Sequence, residues 1–177
     1  KNDFDKWVLL QKNTPPFWAG FKFFNVYGPN EFHKKGMVSV IFNTVLQIKA
    51  TGMMKLFKSH NLEYKDGEQA RDFVYIKDVL DVLLFIMNNQ KYSGIYNLGS
   101  GKARTFNDLV KVVFKSMEVN ANILFVDMPL DLRSQYQYFT QAEIQKLKSI
   151  GYQTPFTSLE DGVEDYVKNY LLRNKYY

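Results

Sequence analysis

The hydrophobic positions of this 177-residue chain change period repeatedly, and each change predicts an element. Phe4, Trp7, Val8 and then Leu9 and Leu10 follow helical spacing over Phe4–Gln11. "KNTPP" stops that helix, because two prolines cannot continue it. "AGFKFFNVYG" then reads as one strand, nearly continuous in apolar residues over its second half. That continuity predicts burial on both faces, as in a parallel sheet. "GPN" at 28–30 is turn chemistry. Helical spacing returns over Met37–Ile48 and is closed by "KATG". "MMKLF" predicts a short strand, and "SHNLEYKDGEQA" a polar loop that turns at Asp66–Gly67.

Farther on, Phe73–Ile76 are strand formers. Asp78 is the expected N-cap of the apolar helix that runs to Asn88–Asn89. "SGIYNLGSG" predicts a strand closed by glycines, Thr105 the cap of "FNDLVKVVFKSM", and "ANILFV" a further strand. "TQAEIQKLKSIG" predicts a helix with Thr140 as cap and Gly151 as stop. "SLEDGVEDYVKNYLLRN" predicts a last amphipathic helix. Alternation of this kind argues for an α/β fold with parallel pairing, and no linker divides it.

Composition narrows the chemistry. Hydrophobic residues make up 46% of the chain and aromatics 16%, enough for a sizeable core. With no cysteine, a disulfide framework, a thiolate zinc site and a cysteine nucleophile are excluded, which suits a reducing cytoplasm. Two histidines, His33 and His60, make a histidine-rich metal site a poor expectation. No stretch approaches the roughly 20 apolar residues of a membrane span, and "KNDFDKW" lacks the apolar core of a signal peptide. The net charge of +5 comes from scattered lysines. It argues against nucleic acid and leaves room for a basic pocket that takes a phosphorylated small molecule.

Several motifs are missing. No G-x-G-x-x-G opens a strand-to-helix turn, no Walker lysine motif occurs, and no G-x-S-x-G elbow is present. "GSGKARTF" is glycine-rich without phosphate-binding spacing. The chain carries no self-contained nucleotide fingerprint.

Four segments do form a pattern: "FNVYGPNEFHKKGM", "DGEQARDFVYIKDV", "SGIYNLGSG" and "YQYFTQAEI". In order and spacing they resemble the extended short-chain dehydrogenases. "EFHK", "KLFKSH…YKDGEQ" and "YQ-x-FTQA" narrow the likeness to the ADP-heptose 6-epimerase branch of that family. The resemblance spans almost the whole chain and covers only the C-terminal part of such an enzyme. It implies that 1–177 comprise the last strands of a Rossmann sheet plus the small α/β substrate-binding domain. The N-terminal Rossmann half and its glycine-rich turn would lie outside.

The resemblance also implies an activity, in which a sugar carbon is inverted by hydride removal to bound NADP (or NAD) and return to the opposite face. In lipopolysaccharide synthesis this step makes the heptose precursor. Expected partners are an ADP-sugar substrate and further copies of the enzyme, with no nucleic acid and no membrane. Lys34 matches the loop lysine that serves as acid/base and borders the cofactor; a register one residue later would select Lys35. Such a lysine needs burial or a nearby positive charge. Lys1, heading "KNDFDKW", matches the lysine of the Y-x-x-x-K motif, a catalytic and cofactor-binding position. The Val26 backbone matches a nicotinamide neighbour, and Asn25, at the end of the strand, a substrate contact. Arg71 matches the arginine that grips the substrate diphosphate, which suits its bidentate geometry. Phe57, Ser59 and His60 match a segment beside the sugar nucleotide, and Tyr136 a substrate-contacting tyrosine; simple packing is the rival role for all four. Gly28 and Pro29 are expected to shape the turn. Two positions depart from the family pattern. Gly36 stands where relatives carry serine, and Asn43, still a candidate substrate contact, where they carry histidine.

Overall fold

The computed structural model describes residues 1–177. Helix α1 (Asn2–Leu9) is followed by strands β1 (Ala19–Phe23) and β2 (Asn25–Tyr27) and a 3-10 segment over Phe32–Met37. Then come α2 (Val40–Thr51), β3 (Met54–Phe57), β4 (Ala70–Tyr75), α3 (Ile76–Asn88) and β5 (Gly94–Leu98). The chain continues through β6 (Ala103–Thr105), α4 (Phe106–Ser116), β7 (Ile123–Val126), α5 (Leu130–Arg133), α6 (Gln145–Ser149) and α7 (Leu159–Tyr166). Helix α7 runs on into a π-helical turn, Val167–Leu171.

Pairing is mostly parallel, as the alternation predicts. β1 pairs with β5, β2 with β4 and β3 with β7, all parallel, while β6 adds to β4 antiparallel. All six residues of β4 are buried, and its alternating side chains feed two cores. Phe73 and Tyr75 join Tyr27, Val45, Val113 and Tyr166 on one side. Val74 joins Val82, Ile86, Tyr96 and Leu98 on the other.

The structure corrects four expectations. "AGFKFFNVYG" is not one strand. Phe24 breaks it, donating its N–H to Leu98 O (3.0 Å) while its carbonyl accepts from Val26 N–H (2.9 Å). That tight turn moves the chain from one sheet to the other, so Asn25 opens β2 instead of ending a strand. Asp78 caps nothing, because α3 starts directly from Tyr75. Its buried carboxylate accepts from Thr157 N–H (2.9 Å) and Oγ1–H (2.6 Å) instead. The helix expected from Thr140 shrinks to Gln145–Ser149, with no side-chain cap. Thr140 pairs its backbone N–H with Ala70 O, and β6 and α5 were too short to show a period. Thr105 and Ser158 do cap α4 and α7.

One buried charge ties these pieces together. Asp72, with no exposed surface, accepts from Ser100 N–H and Oγ–H (both 2.7 Å), Gly101 N–H (2.9 Å) and Ala142 N–H (2.9 Å). It joins β4 to the glycine-rich turn after β5 and to the segment before α6. A second carboxylate, Asp165, accepts from Lys77 Nζ, Tyr75 Oη and Asn169 Nδ2, each at 2.7 Å.

Apolar residues remain uncovered on one side. Helix α1 buries none of its residues, and Phe4, Trp7, Leu10 and Phe23 are exposed. β1 has a sheet neighbour on one edge only.

Two stability outcomes are expected. Asp72→Ala strands four donors, each costing about 1–3 kcal/mol when left unpaired; urea unfolding should show a loss of at least about 3 kcal/mol. For Asp165, burial works to raise the pKa, but the hydrogen bonds from Lys77, Asn169 and Tyr75 outweigh it and hold the carboxyl below its ordinary value. A depressed folded pKa contributes stability above the unfolded value, about 3.9, and that contribution is lost as pH falls through the folded pKa. The stability gap between the protein and Asp165→Asn should therefore close as pH is lowered from 6 to 3. A gap that stays constant over that range would contradict the assignment.

Candidate functional site

The loop after β2 is built on constrained backbone. Gly28, buried at φ 147°, lies where a Cβ would collide with Ile76, which fits its expected role in shaping the turn. Asn30 and Lys35 adopt φ of 70° and 50° without being glycine, a conformation disfavoured for L residues. The 3-10 segment carries His33 and Lys34 between them. Ser39 caps α2 by accepting from Phe42 N–H (3.3 Å).

This loop and β2 wall a cleft of about 330 Å³ whose lining includes Asn25, Val26, Glu31, Lys34 and Ser39. Three of the predicted residues, Asn25, Val26 and Lys34, thus come together. The Lys34 side chain is 42% exposed, and its Nζ lies 3.8 Å from Glu31 Oε2. It is not buried. Asn43 sits half-buried on α2 and Gly36 on the exposed loop; neither lines the cleft.

A second group forms around Arg71. Its guanidinium is buried and donates to Ala70 O (2.9 Å) and to Gln137 O. It lies 5.4 Å from the centre of the Tyr136 ring and 5.8 Å from that of Phe106. No carboxylate pairs with it: its neighbour Asp72 points to the opposite face of β4 and is fully engaged. Burial therefore lowers the Arg71 pKa from its ordinary value. Arg104, across the β4–β6 ladder, contrasts with it, since Asp108 (3.2 Å) and Glu160 (2.7 Å) neutralise that arginine.

Tyr136 packs edge-on against Tyr138 (5.3 Å), whose hydroxyl accepts from His60 N–H (3.0 Å). Ser59 N–H donates to Asp66 (2.7 Å), and Phe57 ends β3 just before. Phe57, Ser59, His60, Arg71 and Tyr136 thus form one connected region. Lys1 stands apart at the exposed start of α1; its carbonyl accepts from Asp5 N–H, and no side-chain contact ties it to either group. Glu31 and Tyr138 escaped the sequence reading. An acidic residue in a polar loop and a tyrosine two residues from another gave no periodic signal.

A larger cavity, about 520 Å³, opens between the 100–104 turn and the 152–160 segment. It includes none of the predicted residues, so the smaller cleft is the better candidate. No group of three or more His, Asp or Glu side chains could hold a metal ion, and no helix is long and apolar enough to cross a membrane.

The residues present fit one side of a dinucleotide only. The cleft offers backbone beside Val26 for a ring edge. The glycine-rich turn at 99–101 is no pyrophosphate cradle, because its N–H groups already hold the Asp72 carboxylate and a Cβ on Gly99 would meet Asp72 Oδ2 at 2.8 Å.

Parallel strand pairs joined through helices, with a cleft walled by β2 and the loop that follows it, fit a nucleotide-binding α/β fold. The chain belongs to the NAD dependent epimerase/dehydratase family, whose profile matches residues 11–99. It is 50% identical over 183 aligned residues to an ADP-L-glycero-D-manno-heptose-6-epimerase of Fusobacterium nucleatum, covering 100% of this chain and 55% of that protein. The Nitratidesulfovibrio vulgaris protein of the same name is 47% identical over 97% of this chain and 53% of its own length. The crystal structure of the Helicobacter pylori ADP-L-glycero-D-manno-heptose-6-epimerase superposes with a TM-score of 0.77 at 33% identity, over 95% of this chain and 48% of that one. The chain spans about half the length of the curated relatives it matches.

Proposed function

We propose that residues 1–177 are the C-terminal, substrate-binding portion of an ADP-glycero-manno-heptose 6-epimerase whose N-terminal portion supplies the rest of a Rossmann domain. The observation that carries this reading is Arg71, a buried arginine with no carboxylate partner, set against Tyr136. A buried guanidinium without a counterion suits a diphosphate, which accepts bidentate hydrogen bonds. The named relatives at 47–50% identity support the choice of an ADP-heptose as the sugar nucleotide. The complete enzyme is proposed to be a cytoplasmic homo-oligomer that makes a lipopolysaccharide heptose precursor, with NADP as cofactor.

A dinucleotide bound by the complete enzyme would supply the hydride chemistry that inverts the sugar carbon, avoiding the removal of an unactivated carbon-bound proton. This chain's residues do the rest. Asn25 orients the sugar by hydrogen bonding, and the Val26 backbone borders the nicotinamide. Lys34 Nζ holds and returns the proton of the reacting hydroxyl in one of the two sugar orientations. Arg71 anchors the diphosphate, with Tyr136, Phe57, Ser59 and His60 walling the nucleotide; Asn43, which lies off the cleft, has no assigned contact. Lys1 serves on the cofactor side, next to a tyrosine upstream. Because this chain has no cradle for the dinucleotide pyrophosphate, it binds sugar nucleotide alone without turning it over.

In the complete enzyme, Lys34→Ala should lower kcat about 10²–10⁴-fold, the usual contribution of a positioned acid/base, with KM nearly unchanged. Full activity in Lys34→Ala, measured as NADP-dependent epimerisation, would remove Lys34 from the reaction. Arg71→Lys loses the bidentate grip, so KM for the ADP-sugar should rise about 10–100-fold, the equivalent of one or two charge-assisted hydrogen bonds. If Arg71→Lys left KM unchanged, the diphosphate would have to bind elsewhere.

A further inference from the structure

Glu31 is a buried carboxylate for which the proposed reaction has no direct use. It is 3% exposed, yet it stands at the start of the loop that carries Lys34. Its Oε2 accepts from Ser39 N–H (2.7 Å), and its Oε1 from Ser39 Oγ–H (2.7 Å) and from Tyr166 Oη–H (3.0 Å). Lys34 Nζ lies 3.8 Å from Oε2. One side chain therefore closes the loop from residue 31 to residue 39, fastens it to α7, and faces the amine of Lys34.

The loop needs such a fastening. Asn30 and Lys35 hold left-handed backbone on either side of Lys34, and disfavoured conformations persist only where the surroundings over-determine them. The C-terminal segment adds two more holds. The Tyr176 ring lies 5.0 Å from that of Phe32, and Tyr177 N–H donates to Asn30 Oδ1 (3.0 Å). These contacts involve residues 30–32 of the loop and leave His33 and Lys34 exposed, Lys34 lining the cleft.

The geometry points to Glu31 as the positioning residue for Lys34: held by Ser39 and Tyr166, it sets where the Lys34 amine stands. Carboxylate and hydroxyl are both needed for this, the first to accept three hydrogen bonds at once and the second to reach across from α7. Glu31 touches neither sugar nor cofactor in this role. The inference rests on Lys34 being the acid/base of the proposed reaction.

The test compares Glu31→Gln, Tyr166→Phe and Lys34→Ala in the complete enzyme. Glu31→Gln keeps the shape and removes the charge. It should lower kcat at least about tenfold, the scale of loss when a reacting group is displaced by a fraction of an ångström to 1 Å, with KM for the ADP-sugar within about twofold. Tyr166→Phe removes one hydroxyl from a packed ring and is the milder variant. It should lower kcat about threefold or more, again with KM unchanged, and the double variant should be no worse than Glu31→Gln, since both act through one contact. Amide hydrogen exchange over 32–39 should be faster in both variants, a readout independent of turnover. A folded Glu31→Gln or Tyr166→Phe enzyme with unaltered kcat, alongside an inactive Lys34→Ala, would overturn the positioning role and leave the acid/base assignment standing. A fully active Lys34→Ala would overturn both.

Discussion

Strand β4 is buried on both faces, and the rest of the structure follows from that constraint. A strand with no exposed side must place each side chain in one core or the other, and its period of two decides which. Phe73 and Tyr75 go to the larger core with α2, α4 and α7, while Val74 goes to the smaller one with α3 and β5. The two charged residues of the strand are sorted in the same way. Arg71 emerges on the side of Tyr136 and Phe106, and Asp72 on the side of the 99–101 turn and Ala142. Adjacent in sequence, they cannot pair with each other. Asp72 is satisfied by four protein donors, and Arg71 by two backbone carbonyls and two aromatic faces. Only the arginine is left without a counter-charge.

That sorting explains why the glycine-rich turn is not a nucleotide site. Consecutive backbone N–H groups in a tight turn attract an anion, and here the anion is internal. The carboxylate of Asp72 takes the place a phosphate would need, and it serves to lock β4 to β5. Arg71 is left as the buried cation without a counter-charge, and the cleft beside Val26 has no phosphate cradle.

Much of the fold was legible because its elements are periodic or capped. Helices α2, α4 and α7 announce themselves through spacing, and α4 also through Thr105, which makes its capping bond; the caps at Ser39 and Ser158 emerge only in the structure. The break at Phe24 was not legible, since no proline or glycine marks it; the chain changes sheets through two backbone hydrogen bonds that any residue could make. Asp78 has the local chemistry of a cap, and tertiary structure overrode it by bringing Thr157 to its carboxylate. At the site, resemblance identified Asn25, Val26 and Lys34, which one cleft gathers, and Arg71 with Tyr136, which stack. It could not reveal Glu31, because a residue that acts through contacts 8 and 135 positions away leaves no trace in local pattern.

That long span carries a consequence for how the loop works. The segment from Asn30 to Met37 has little regular structure of its own, and its two left-handed residues oppose the conformation they hold. Its stability is borrowed from α7 and the chain end, through Tyr166, Tyr176 and Tyr177. Helix α7 in turn is seated on β4, with Tyr75 donating to Asp165 and Tyr166 fully buried. A displacement of β4 is thereby transmitted in two directions, to Arg71 directly and to Lys34 by way of α7 and Glu31. Arg71 on β4 and Lys34 on the loop are thus joined through α7 and Glu31. In the proposed reaction, that connection sets the separation between the diphosphate and the reacting hydroxyl.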